Sequence, residues 1–222
     1  MSVIKVGARE SPLSKVQVQE VLQELRKTHP HIVFELKTLK TTGDQDLKTS
    51  LRGLEKTDFF TRELDEQLLN HDCRITIHSA KDLPDPLPKG LKIIALTHGI
   101  DDGDSLVLRD GETLETLSPG ALIATSSERR EAAVLQLRSD FTFTDLRGTI
   151  HQRLQQLDTV DGVVLAEAAL IRLNLTHLNR IRLPGETPPL QGKLAVLARE
   201  EDQEMEELFS CLECRCAASI QG

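Results

Sequence analysis

The chain contains no tryptophan and no tyrosine, and only 6 of its 222 residues are phenylalanine. A platform that stacks successive nucleobases needs more aromatic rings than this. Positive charge is also short: 27 Lys and Arg against 35 Asp and Glu leave a formal net charge of −8. That balance argues against a general nucleic-acid binder or a membrane-surface binder, so neither partner is expected. No apolar run approaches the ~20 residues that span a bilayer. The opening residues Met1 to Arg9 enter a strand pattern at once and lack the regions of a signal peptide, which predicts a cytoplasmic protein. Cysteines number 4, and Cys211, Cys214 and Cys216 stand close together. A disulfide framework is out of place in such a chain. These thiols have no evident fourth ligand, and no histidine has metal spacing, so no metal site is expected.

What is there is a repeated alternation of short apolar runs and helical periodicity. Strands are predicted at Val3–Ala8, Ile32–Leu39, Ile75–His78 and Leu91–Leu96. Ser11-Pro12 opens a helix as N-cap and first-turn proline, with an apolar stripe of Leu13, Val16, Val21, Leu22 and Leu25. Residues 45–58 read as a mobile, charged loop, and Phe60–Leu69 as a helix. A second series follows, with strands near 105–108, 121–124, 141–145 and 162–165 and helices near 127–138, 149–157 and 166–173. Leu194–Ala198 is a last strand and Glu200–Leu212 a last, acidic helix. Such alternation predicts α/β layers with mostly parallel strands. Crossings near 98–104 and 184–189 predict two lobes: a discontinuous domain 1 of residues 1–98 plus 186–222, and domain 2 of residues 99–185. A cleft is expected between them. Ligands of open α/β sheets sit beyond the carboxyl ends of strands.

The charged turns of the chain fall at such ends. Thr125, Ser126 and Ser127 separate an apolar strand from Arg129 and Arg130. Free backbone N–H groups, hydroxyls and two guanidinium groups at a helix start make a site for carboxylates or phosphates. Arg147 precedes Gly148, which permits close backbone approach. Arg153 shares a helix face with Thr149, although a solvated face would account for it equally well. Arg9 and Ser11 sit at the first strand-to-helix turn, where Ser11 also serves as an N-cap. Lys81 and Asp82 follow a buried strand. A carboxylate there can stabilise a developing cation or hold an N–H group, or it can be one half of a surface ion pair. His78, on an apolar strand, reads as a satisfied core residue.

Seven strings occur in order along the chain: Ala8-Arg-Glu-Ser-Pro-Leu13, Thr42-Gly-Asp44, Phe60-Thr-Arg-Glu-Leu64, His78-Ser-Ala-Lys-Asp-Leu-Pro84, Ala124-Thr-Ser-Ser-Glu-Arg-Arg130, Leu146-Arg-Gly-Thr-Ile-His-Gln-Arg153 and Leu190-Gln-Gly192. Together they resemble the hydroxymethylbilane synthase (porphobilinogen deaminase) family. The resemblance implies two lobes like those of type II periplasmic binding proteins. It also implies a transferase that joins four porphobilinogen units with loss of ammonia, primed on a thioether-linked dipyrromethane cofactor. It assigns Asp82 the catalytic carboxylate. Arg9, Ser11, Lys81, Thr125, Ser126, Ser127, Arg129, Arg130, Arg147 and Arg153 become the binders of substrate and cofactor carboxylates. Phe60 would pack against pyrrole rings, and residues 45–58 would be a mobile cover. A monomer is expected.

The chain departs from the family pattern in several places. The family's third domain, with its Gly-Gly-Cys cofactor motif, has no counterpart before Gly222, which leaves the attachment thiol open among Cys211, Cys214 and Cys216. The family's Gly-Lys-Gly is Lys56-Thr57-Asp58 here, its asparagine after the arginine is Thr149, and its Gly-Gln-Gly is Leu190-Gln-Gly192. These departures predict slower turnover. The competing expectations are a non-catalytic two-lobed binder of a polycarboxylate or tetrapyrrole, and a periplasmic-type anion receptor. The opening residues count against the receptor.

Overall fold

The computed structural model describes residues 3–52 and 58–212. In chain order the elements are β1 (Ile4–Arg9), α1 (Pro12–Arg26), β2 (Phe34–Leu39), α2 (Thr42–Gln45), α3 (Arg62–Leu69), β3 (Ile75–Ser79), β4 (Leu91–Leu96) and β5 (Asp104–Leu108). There follow β6 (Leu122–Thr125), α4 (Glu128–Leu135), β7 (Thr142–Asp145), α5 (Ile150–Gln155), β8 (Gly162–Ala166), α6 (Glu167–Arg172), β9 (Arg180–Arg182), β10 (Leu194–Arg199) and α7 (Gln203–Phe209). The described residues fall into two compact units. Unit 1 holds 3–45, 58–100 and 193–212, and unit 2 holds 46–52 and 101–192. The sequence division left 46–52 and 186–192 in the first domain and 99–100 in the second. Charged residues that read as a loop find partners in unit 2, as described below.

Each unit has its own five-stranded sheet. The order in unit 1 is β2-β1-β3-β10-β4, with β1 parallel to β2 and β3 and β10 antiparallel to β3 and β4. Unit 2 repeats this plan as β7-β6-β8-β5-β9, with β6 parallel to β7 and β8 and β5 antiparallel to β8 and β9. The sheets are therefore mixed rather than mostly parallel. The antiparallel strands β5 and β10 each follow a crossing directly. They enter their sheets without a preceding βαβ return, the connection that enforces parallel pairing. The edge strand β9, three residues with arginine at both ends, carries no apolar run that periodicity could detect.

Cores follow from strand alternation. In unit 1, Ile4, Val6 and Ala8 of β1 pack with Val18, Val21, Leu22 and Leu25 of α1 and with Met205 and Phe209 of α7. Leu13 and Val16 lie at the edge of that helix face, which Ser14 and Gln17 complete. Gln17 is tolerated because its amide donates to Ser79 Oγ at 2.8 Å. In unit 2 both sheet faces are dry: Leu106, Leu108, Ile123 and Val164 lie in one cluster, and Val107, Ala124, Val163 and Leu165 in another. Because neighbouring strands run parallel, Arg9 and the 80–82 turn emerge at one end of the first sheet. Likewise the 125–127 turn and Arg147 emerge at one end of the second.

Candidate active site

In unit 1, a pocket of about 60 Å³ is lined by Arg9, Ser11, Leu13, Ser14, Gln17, Phe60, Thr61, Ile77, His78, Ser79 and Asp82. Arg9 closes β1, and its guanidinium lies 4.5 Å from the centroid of the Phe60 ring. Asp44 pairs with the same guanidinium, with Arg9 Nε donating to both carboxyl oxygens at 3.2 Å. Burial disfavours the Asp44 anion. The bonds from Arg9 and from Thr41 N and Oγ1 outweigh it and hold the carboxyl below the usual range. The Thr42-Gly-Asp44 string thus supports the pocket. Thr42 N and Oγ1 donate to Glu63, and a Cβ on Gly43 would fall 2.4 Å from the Phe60 ring. Only glycine lets the ring sit there.

Ser11 is the N-cap of α1 and accepts from Ser14 N at 3.2 Å, so its hydroxyl hydrogen remains available to donate outward. His78 is buried, shares a 3.0 Å hydrogen bond with Thr76 Oγ1, and is pushed down to about 3 by burial and then by Arg9. It is therefore a neutral wall of the pocket at physiological pH. Asp82 ends a single 3-10 turn after β3 and is part of the lining. Among the described residues it makes no hydrogen bond or ion pair, unlike Asp44. Lys81, half-buried, precedes it and is not part of the lining.

Unit 2 gathers the remaining predicted residues at the ends of β6 and β7. Thr125 is buried, and its Oγ1 has no partner among the described residues. Ser127 caps α4 by accepting from Arg130 N at 3.3 Å, and Ser126 Oγ accepts from Arg130 Nη1 at 3.3 Å. Both arginines reach one carboxylate that the sequence reading gave no role, Asp104. Arg130 Nη2 donates to Oδ1 at 2.5 Å, and Arg129 Nη2 donates to Oδ2. Arg129 Nη1 also donates to the Glu186 carbonyl at 3.0 Å. Gln191 Nε2 is a third donor to Asp104, at 3.2 Å. A signal for Asp104 did exist: it opens a strand, Asp-Ser-Leu-Val-Leu, that is buried throughout, and a buried carboxylate demands charged partners.

Arg147, nearly buried, donates from Nη2 to the Asp46 carbonyl. Gly148, at φ +95°, turns the chain into α5, where Thr149 and Gln152 form a capping box. Arg153 Nε donates back to the Gly148 carbonyl at 2.8 Å, so the face it shares with Thr149 folds onto the Arg147 turn rather than into solvent alone. The described part of the expected loop is tied here. Ser50 donates to Asp145 Oδ1 at 2.8 Å, and Arg52 pairs with Glu131 at 2.5 Å and Asp145 at 3.3 Å. Asp46 is held down to about 2, chiefly by the Thr49 hydroxyl and then the Thr49 and Lys48 amides.

Of the three clustered cysteines, Cys214 and Cys216 lie outside the described residues. Cys211 is exposed, with Sγ 3.4 Å from Thr28 Oγ1, past the far end of α1 from the pocket. At about 1.5 Å per helical residue it stands roughly 15 Å or more beyond Gln17, the last pocket residue on that helix.

The family described as porphobilinogen deaminase, dipyromethane cofactor binding domain, matches residues 4–207. The porphobilinogen deaminase of Thermus thermophilus is 40% identical over 217 residues, covering 96% of this chain and 70% of the relative. A probable porphobilinogen deaminase of Chlamydia pneumoniae is 38% identical over 213 residues, covering 95% of this chain and 90% of its own. Among solved structures, a periplasmic substrate-binding protein of an ABC transporter from Coxiella burnetii superposes with a TM-score of 0.59 at 16% identity, over 94% of this chain and 91% of that one. At that identity the likeness is one of fold, two α/β units on the periplasmic-binding-protein plan. Sequence match and strand-end geometry agree, and the chain belongs to the porphobilinogen deaminase family.

Proposed function

We propose that the protein is a hydroxymethylbilane synthase, a transferase that deaminates four porphobilinogen units and joins them head to tail into a linear tetrapyrrole of porphyrin and heme biosynthesis. The observation that carries the reading is the pocket of unit 1, where a carboxylate (Asp82), a ring-stacked arginine (Arg9) and a phenylalanine (Phe60) line one space. The donor set fits the family's dipyrromethane: Arg9 and Ser11 for its carboxylates, Phe60 for its rings, Asp82 for pyrrole N–H groups. When bound, that cofactor supplies the pyrrole carbon onto which the chain is built.

Loss of ammonia from the aminomethyl group of porphobilinogen leaves a cation delocalised into the pyrrole. In the partly enclosed pocket, the Asp82 anion lowers the energy of that cation and orients ring N–H groups. The attacking pyrrole must then shed the proton from its reacting carbon, and a nearby carboxylate can take it. Each pyrrole also carries an acetate and a propionate. Arg129, Arg130, Arg147 and Arg153 with Thr125, Ser126 and Ser127 in unit 2, and Arg9 and Lys81 in unit 1, would bind these groups through charge-assisted bonds. The two units serve as the protein's two domains in this proposal, acting as a monomer in the cytoplasm. No described helix is long and apolar enough to cross a membrane. Cys211 is not assigned as the attachment thiol, since its distance from the pocket exceeds the reach of two pyrrole rings.

Porphobilinogen consumption by the purified chain, with chromatography of the product, tests the reading. Asp82→Ala is expected to lower kcat by about 100-fold or more, the scale for loss of one transition-state stabiliser, with porphobilinogen affinity kept within a few fold. A wild type that binds porphobilinogen without consuming it would favour the non-catalytic binder.

A further inference from the structure

We infer that Asp104 is the positioning residue of the Arg129–Arg130 pair, and that its single buried charge sets how tightly this turn takes a substrate carboxylate. The inference rests on the functional reading above and deepens it. Asp104 is 1% exposed and gives one carboxyl oxygen to each arginine, so both guanidinium groups are fixed by one anion. The third donor, Gln191 Nε2, is itself pinned by the Asp102 and Gly103 carbonyls at 2.5 and 3.1 Å. The carboxylate therefore cannot rotate away without breaking bonds to two segments of unit 2.

The charge count gives the arrangement its use. Two adjacent guanidinium groups repel, and the Arg130 side chain is only 7% exposed while that of Arg129 is 34% exposed. Without a buried anion, Arg130 would be an uncompensated charge and would leave its place. With Asp104 present, two cations share one anion and these three groups keep one positive charge between them, the match for a single carboxylate. Arg129, the more exposed of the two, presents that charge. Asp104 does not touch substrate in this scheme. It holds the arginines in the geometry that binds, which contributes equally to ground and transition states and so acts on KM rather than kcat.

The test is porphobilinogen consumption and calorimetric porphobilinogen binding by the full chain as wild type, D104N, D104E and Q191A, each with its thermal midpoint. D104N is expected to raise KM and Kd tenfold or more with kcat within threefold of wild type. D104E, which keeps the charge on a longer arm, is expected to recover part of that loss, and Q191A to raise KM about threefold. The inference is overturned by a KM and Kd within twofold of wild type in D104N, by a loss confined to kcat, or by D104E faring no better than D104N. If D104N does not fold, D104E and Q191A decide, and unchanged KM in both overturns it. A wild type that neither binds nor consumes porphobilinogen overturns the functional reading first and this inference with it.

Discussion

Asp65 in unit 1 and Asp104 in unit 2 are buried to nearly the same degree, 3% and 1% exposed, yet their surroundings are opposite. Asp104 is met by two guanidinium groups and an amide. Asp65, on α3, lies near the Thr61 hydroxyl, but neither of its carboxyl oxygens has a hydrogen bond of good geometry. Burial therefore dominates and pushes Asp65 up to about 6, with Asp58, Glu63 and Glu66 adding repulsion. One buried carboxylate gathers two arginines, and the other is a titratable liability next to Thr61, which helps to line the pocket. Burial alone says nothing about the use of a charge; the partners do.

The comparison can be broken most forcefully at Arg130. Arg130→Ala removes the better-buried partner of Asp104, and such a break typically costs about 3–5 kcal/mol. Urea denaturation measures it, and a loss below about 1 kcal/mol would mean that Arg129 and Gln191 satisfy Asp104 unaided. Next comes Asp65→Asn. The native pKa near 6 lies above the unfolded value of 3.8, so the folded state binds more protons between them and stability falls as pH rises through that window. The substitution should stabilise by up to about 3 kcal/mol at pH 7.5, a two-unit shift at 1.36 kcal/mol each, and by nothing near pH 4. A gain that persists at pH 4 would trace to packing instead. The smallest effect is at Leu190, which precedes Gln191 and holds φ +67°, the left-handed region that favours glycine. Leu190→Gly should relieve about 1 kcal/mol of backbone strain, visible as a rise in thermal midpoint. A fall would show that the leucine side chain contributes more than its backbone costs.

Much of the site was legible before the fold. Strand-end position alone singled out Arg9, Asp44, Lys81, Asp82, Arg129, Arg130 and Arg147, because a charged turn directly after an apolar run marks the carboxyl end of a strand. Asp44 was legible as a charged strand-end turn and Thr42-Gly-Asp44 as a family string, but what they hold was not. Their service to Phe60 and Arg9 depends on a ring and a guanidinium 16 or more positions away in the chain, and no local pattern encodes that contact. The 46–52 segment read as a loop because the ties of Ser50, Arg52 and the Asp46 carbonyl to unit 2 leave no signal nearby in sequence. Asp145, Arg147 and Glu131 supply the partners from a distance. Antiparallel pairing of β5 and β10 was missed for a related reason: periodicity reports which face of a strand is buried, not which way its neighbour runs.

By itself, then, the amino-acid sequence determined most of the elements, though not β9 or α2, together with the α/β class, the strand-end turns and the family, since each of these is written in short-range periodicity or in strings of adjacent residues. The tertiary structure decided which charges meet. That Asp104 would bind both arginines while Asp65 would bind none follows from how strands far apart in the chain are laid side by side, because an ion pair depends on distances of a few ångströms that linear spacing does not specify.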